Sequence, residues 1–341
     1  MDEMLSAAKS AVRMASRLAL AVSTRGGVIS SVSKADLSPV TVADYGAQAA
    51  LNLVLLHSLQ GAGAVHAVLG GGSPPQPFRV VGEEDAGSLG SEDALLASVV
   101  AALSASMGPR AEFVGGGGGG GGGEWGGSDV LRAVGLGSCP GGLASEGQGD
   151  SRGYWVMDPI DGTKGYLRGG QYAVGLAYIQ DGRPILAVMA CPVLPYPAWT
   201  EAAAAAAASG TGSSSAQGAS GALFAAVLGG GATQEPLFPE GPEQAEPLPI
   251  STARDRPLAQ CTLCESFERG HSSHSTSSLV RSALGMGTAP IQMDSMGKYA
   301  LVARGCGDLY FRCVPRCFIP FSSPSSHINA LTIYVGGLHK T

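Results

Sequence analysis

A chain of 341 residues, 45% of them hydrophobic, carries enough apolar material for one large α/β domain or two ordinary ones, which excludes a disordered or fibrous protein. Charged residues make up only 14% and the formal net charge is -6, so there is no basic field to hold a nucleic-acid polymer or an anionic membrane. A phosphorylated small molecule stays open as a partner, because divalent ions and a few local cations reverse the sign inside a cleft of an acidic protein.

In chain order, Met4, Leu5, Ala8, Val12, Ala15 and Leu18 recur at three-to-four spacing and predict an amphipathic helix over 4–23. Its interleaved charges, Asp2, Glu3, Lys9, Arg13 and Arg17, make it the first helix of the fold and not a secretory signal. A second helix is expected from Val42 to His57 with Thr41 as its N-cap, then a short strand ending at Val80 and Val81, then a helix over 92–106. Nine consecutive glycines at 115–123 open a Gly/Ser/Glu-rich stretch to Asp150, which reads as a surface insertion unable to offset backbone ordering. It is not a P-loop, since no Lys-Ser/Thr follows the glycines.

Order is expected again from Tyr154, where an apolar strand runs into DPIDGT, and strands over Tyr172–Ile179 and Pro184–Ala190 meet at the hairpin signal Asp181-Gly182. Seven alanines at 202–208 and a Gly/Ser/Pro-rich run to 248 form a second low-complexity insertion. There follow a strand near 259–265, a helix over 275–284, a strand over 291–293, a helix from Gly297 to Arg304 and a strand over 307–312. Such alternation predicts a layered α/β domain. Seven cysteines (139, 191, 261, 264, 306, 313, 317) are an odd and sparse set, so they read as reduced thiols; their spacing, even with His271, matches no common zinc site. No run reaches the ~18 apolar residues of a membrane span.

The strongest chemical signal is Asp158-Pro-Ile-Asp161-Gly-Thr163 after the apolar strand. Two carboxylates three apart in an irregular segment, with the Ile160 carbonyl between them, offer the clustered oxygens that a hard divalent cation takes, and the same letters also describe a solvated turn. Gly82-Glu83-Glu84-Asp85 crowds three acids at another strand end, either round a shared cation or as a solvated acidic loop. Asp44 fits the third position of a helix capped by Thr41, where a carboxylate favours the helix dipole. Farther on, His271, Asp294, Ser295, Lys298 and Arg312 include charge-assisted donors suited to phosphate.

With these residues in view, SPVTVADYGAQ (38–48), VVGEEDAG (80–87), YWVMDPIDGTKGYLRGGQYAVGLA (154–177), CESFERGHSSH (264–274) and MDSMGKYALVARGCGDLYFR (293–312) occur in an order that resembles the 3′(2′),5′-bisphosphate nucleotidases of the inositol monophosphatase superfamily. DGTKGYLRG and GHSSH resemble the nucleotidase branch, where inositol monophosphatases usually carry DGTTN. The resemblance covers about residues 1–312 apart from the insertions. It implies an αβαβα sandwich with Mg²⁺ held by Glu83, Asp158, the Ile160 carbonyl and Asp161. Asp44 and Thr163 are implied to orient and deprotonate the attacking water, and Thr163, His271, Ser295, Lys298 and Arg312 to contact the substrate. The implied reaction removes the 3′-phosphate of adenosine 3′,5′-bisphosphate, or of its sulfated precursor, with inositol polyphosphate 1-phosphatase activity or non-catalytic binding as the alternatives. The implied halves are 1–165 (metal-binding, with the 115–150 insertion) and 166–312 (nucleotide-binding, with the 202–248 insertion). The implied compartment is intracellular: cytosol, plastid or mitochondrion.

The chain departs from this pattern after Arg312. The family continues into a WDHAAG-like motif whose aspartate binds metal, whereas here CVPRCFIPFSS and onward form an atypical tail over 313–341. The expectation is an incomplete second half with an open sheet edge, a weakened phosphatase, and Asp294 or Asp308 as the acids to substitute for the missing ligand.

Overall fold

The computed structural model describes residues 1–24, 31–33, 39–115, 123–138, 153–196, 221–241, 246–250, 257–267, 274–312 and 332–335. Helix α1 (Asp2–Thr24) is followed by a two-stranded antiparallel ribbon, β1 (Ser31–Ser33) with β2 (Pro39–Thr41), and by α2 (Val42–Gln60) and α3 (Ala62–Leu69). After β3 (Val80–Val81) come α4 (Ala86–Gly90), α5 (Asp93–Met107), α6 (Arg110–Val114) and α7 (Gly127–Gly135). Helix α7 lies inside the stretch expected to be an unstructured insertion. The reason is local: Val130, Ala133 and Val134 fall on one helical face and are fully buried, and Trp125 just before them is buried with its indole N–H donating to the Gly108 carbonyl at 2.9 Å. Asp129 closes the helix start by accepting the Gly126 N–H at 3.0 Å and pairs with Arg110 at 3.0 Å.

The larger sheet is seven-stranded: β3, β4 (Tyr154–Asp161), β5 (Ala173–Gln180), β6 (Arg183–Cys191), β7 (Ala222–Val227), β8 (Gly231–Pro236) and β9 (Leu248–Pro249), in that order. Only β3 and β4 are parallel; the rest is an antiparallel meander. The β5–β6 hairpin turns on Asp181 (φ 50°) and Gly182 (φ 70°), two left-handed residues as a tight hairpin requires. Strands β7 and β8 correct the second expected insertion, because the continuous apolar run ALFAAV buries side chains on both faces of β7. The polyalanine run lies outside the described residues. The sheet therefore runs through the expected 165/166 division, which falls between β4 and β5.

The smaller sheet takes its strands in the order β11 (Ile291–Met293), β10 (Leu263–Ser266), β12 (Leu309–Arg312), β13 (Thr332–Val335), with α9 (His274–Ala283) and α10 (Gly297–Ala303) as crossovers. The first three strands are parallel, and β13 runs antiparallel to β12. The edge expected to stand open at β12 is thus covered by a strand from the tail itself, which satisfies its backbone groups.

Burial gives the layers. Val174, Leu223 and Ala225 join the core under α1 and α2, while their neighbours Ala173, Ala222 and Phe224 face a second core with Met293, Ala300, Leu301 and Tyr310. Helix α10 thus lies between the two sheets. Leu263 points to the far face of the smaller sheet, into a third cluster with Cys261 and Met286 that Val280 of α9 covers. The order is helix, sheet, helix, sheet, helix: the αβαβα sandwich. Across it, Lys9 and Arg13 of α1 grip the buried Glu235 of β8 at 2.8 and 2.6 Å.

Candidate active site

The parallel pairing of Val80 with Trp155 and Val81 with Val156 brings the acids after β3 level with Asp158. The β4–β5 ladder then loses register: Asp158 pairs with Gly175 and Asp161 with Ala173, so three steps on β4 oppose two on β5. In a regular strand residues three apart face opposite sides. The bulge at Pro159, which has no N–H for the ladder, turns both aspartates to the same side. Gly162 follows at φ +90°, and a Cβ there would lie 2.8 Å from the Cβ of Ser295. This close approach makes Gly162 the contact between the DPIDGT segment and the smaller sheet. Helix α8 (Thr163–Leu167) starts at once; Thr163 Oγ1 donates to the Ile160 carbonyl at 3.3 Å, and the Tyr166 hydroxyl anchors the turn to the Ala19 carbonyl at 2.8 Å.

Asp44 is buried in the first turn of α2, with Gln48 and Asn52 following at helical spacing on the same face. Gln48 is a site residue that the sequence reading missed. Its amide nitrogen donates to the carbonyls of Glu84 (2.7 Å) and Val134 (3.2 Å), and its amide oxygen accepts the Glu84 N–H at 2.8 Å, so it holds the acidic loop to α2 and α7. A Cβ on Gly82 would collide with this amide at 2.5 Å. The only sequence signal was a polar residue one turn after Asp44 in an otherwise apolar helix.

Asp158 lies within the electrostatic reach of three other acids. The Asp158 carboxyl is pushed up to about 8, first by burial and then by the charges of Asp161, Glu83 and Asp44, while the hydrogen bond from the Ile160 N–H pulls it down. Asp158 Oδ1 is buried and has no hydrogen-bond partner among the described residues. Burial and the charges of Glu84, Asp85 and Asp44 also push the Tyr45 hydroxyl up to about 12. Glu83 itself is exposed, whereas Glu84 turns inward.

The opposite wall comes from the carboxyl ends of parallel strands β10 and β11. Ser295 sits there in the left-handed region at φ 66°, its Oγ accepting the Gly297 N–H at 3.0 Å. The Met296 N–H donates to Asp161 Oδ2, joining the two walls. Lys298 is buried, with its ammonium donating to the carbonyls of Met293 (3.1 Å) and Ser295 (2.6 Å) and lying 5.6 Å from the Tyr310 ring. Arg312 ends β12 on the same side of the sheet, its side chain outside the described set; His271 and the side chain of Thr41 also lie outside the described residues. Asp294 pairs with Arg168 at 2.5 Å, and Asp308 accepts the Thr262 N–H at 2.8 Å at the amino ends of β10 and β12. The parallel register puts Asp308 at the far end of the sheet from Ser295, which rules it out as a substitute ligand. Cys191, Cys264 and Cys306 are free thiols.

Asp158, Asp161, Glu83, Asp44 and the Ile160 carbonyl are all hard oxygen donors, and the orphaned buried oxygen of Asp158 is unfavourable without a counter-charge. By donor chemistry the set fits a hard divalent cation. Among the described residues no three His, Cys, Asp or Glu side chains surround a common point, and Asp161 Oδ2 is engaged by Met296.

Comparison with known proteins gives the family. The model of the inositol monophosphatase family matches residues 124–319. The chain is 34% identical over 314 residues (91% of this chain, 77% of the relative) to "3′(2′),5′-bisphosphate nucleotidase 1" of Arabidopsis thaliana. It is 33% identical over 285 residues (83% and 71%) to "3′(2′),5′-bisphosphate nucleotidase" of Emericella nidulans. A crystal structure of CysQ from Bacteroides thetaiotaomicron aligns over 90% of this chain and 79% of that one, at 21% identity and a TM-score of 0.47, a likeness too loose to place any residue. With the family model matching more than half of the chain and relatives a third identical along most of its length, this protein belongs to the inositol monophosphatase family, among the 3′(2′),5′-bisphosphate nucleotidases.

Proposed function

We propose that this chain is a Mg²⁺-dependent phosphomonoesterase that hydrolyses the 3′-phosphate of adenosine 3′,5′-bisphosphate to give AMP and phosphate, and that it also accepts 3′-phosphoadenylyl sulfate. The observation that carries this reading is the bulge at Pro159, which turns Asp158 and Asp161 to one side beside the acids after β3. Glu83, Asp158, the Ile160 carbonyl and Asp161 would hold the cation. When bound, it supplies charge neutralisation to the phosphoryl oxygens and lowers the pKa of water.

The remaining duties fall to the chain's own groups. Asp44 accepts the proton of the attacking water, with the Thr163 hydroxyl orienting it, and water adds to phosphorus as the bond to the 3′ oxygen breaks. His271, Ser295 and Arg312 take the sugar and the retained phosphate. Lys298 has two duties, charge toward that phosphate and fixation of the Ser295 turn through two carbonyls. The nucleotide reading is supported by the names of the relatives and by the TKGYLRG segment, whose Arg168 reaches the opposite wall.

Phosphate release from adenosine 3′,5′-bisphosphate should require Mg²⁺ and exceed release from inositol 1-phosphate. A preference for the inositol ester, or full activity in chelator, overturns the proposal.

A further inference from the structure

The smaller sheet changes direction at β10. From β10 the chain crosses through α9 to β11 on one side, and from β11 it crosses through α10, on the other face, to β12 on the opposite side of β10. The crossover helices that follow β10 and β11 therefore lie on opposite faces, and the carboxyl ends of these two strands are the position where open parallel sheets bind ligands. Phe267 is the first residue of the loop after β10, and Asp294 is the first after β11.

Arg168, from the end of α8, ties the two together. Its guanidinium pairs with Asp294 at 2.5 Å and lies 5.0 Å from the centroid of the Phe267 ring. Phe267 is one of the few large hydrophobic side chains left open, 38% exposed. An aromatic ring held at these carboxyl ends by a planar cation, next to the residue preceding Ser295, offers a flat apolar face with a polar rim. That face suits a planar heteroaromatic ring: the base stacks on the aromatic face, and the rim satisfies its edge.

We propose that Phe267, braced by Arg168, is the base-stacking subsite of this protein and determines its preference for nucleoside over base-free phosphates. The inference rests on the nucleotide reading above and assigns it a position. Arg168 links Phe267 to Asp294, the residue before Ser295, so the ring lies on the same wall as the residues assigned to the sugar and retained phosphate.

The test is calorimetric binding of AMP and of base-free ribose 5-phosphate, neither of which carries the scissile 3′-phosphate, to the full chain with Mg²⁺. Wild type should bind the nucleotide at least about ten-fold more tightly, the scale of one stacked base. Phe267→Ala should remove that difference by weakening the nucleotide alone, and Phe267→Trp should restore it. Arg168→Lys keeps the charge beside Asp294 but loses the planar face, and should erase part of the preference. Equal weakening of both ligands in Phe267→Ala, or an unchanged preference, overturns the subsite. Wild type binding both ligands equally also overturns it while leaving the phosphate site standing. Wild type binding neither overturns the nucleotide reading and the subsite together.

Discussion

The two walls of the cleft are built in opposite ways. The acidic wall is assembled from short motifs whose geometry is local: a strand end at Glu83, a bulge between Asp158 and Asp161, and one helix turn at Asp44. The facing wall has no such unit; Phe267, Asp294 and Ser295 come together only because the parallel strands β10 and β11 align their carboxyl ends, and Arg168 reaches them from α8. Concentrated like charge marks the first wall, and neutralised pairs such as Arg168 with Asp294 and Lys298 with two carbonyls mark the second. A wall of crowded acids is suited to a cation, and a wall of braced donors and one open ring to an organic anion.

The comparison breaks most visibly at Asp161, which belongs to the acidic wall and also accepts the Met296 N–H of the other. Asp161→Asn should lower phosphate release by about 10²–10³, the scale of removing one preorganised electrostatic group, and should weaken Mg²⁺ in calorimetric titration. Equal Mg²⁺ binding by both proteins would remove Asp161 from the ligand set.

A second prediction uses the charge crowding itself. The Asp158 carboxyl is raised in the folded state to about 8 from 3.8, so the folded protein binds this proton more tightly than the unfolded chain. The stabilisation is complete below about pH 4 and is lost as pH rises toward 8. In chelator at pH 7.5, Asp158→Asn should therefore be more stable than wild type, by up to a few kcal/mol on the linkage scale. Thermal denaturation at pH 5 and 7.5 checks this: the variant's advantage should shrink at the lower pH. A variant less stable than wild type at both values would show that Asp158 is not strained by its neighbours.

The smallest effect sharpens the role of Gln48. Gln48→Ala removes three buried hydrogen bonds, one from the Glu84 N–H and two to the carbonyls of Glu84 and Val134, and should cost about 1–3 kcal/mol of stability. It should also weaken Mg²⁺, because the acidic loop loses its attachment to α2. Asn52→Ala, which removes one bond to the Ala133 carbonyl, should cost stability and leave Mg²⁺ affinity unchanged. Equal loss of Mg²⁺ affinity in both variants would make Gln48 a packing residue only.

Much of this was legible in the chain itself. Strand β11 and helices α2, α9 and α10 were expected to within a few residues, and the hairpin at Asp181-Gly182 was read from two letters. The two misread insertions have one cause: low complexity over part of a segment was extended to all of it. Helix α7 and strands β7 and β8 lie within such stretches, yet Val130, Ala133, Leu223 and Phe224 supply enough buried surface for order.

The sequence by itself determined the acids, the cation chemistry they favour and the family, because each motif's function depends on residues within a few positions of one another. The tertiary structure decided which side each carboxylate faces, that Gln48 clamps the acidic loop, that Asp308 is at the wrong end of its sheet, and that Arg168 joins Phe267 to Asp294. The physical reason is that these depend on strand register and crossover direction. Those are fixed only when distant segments bury their faces against one another.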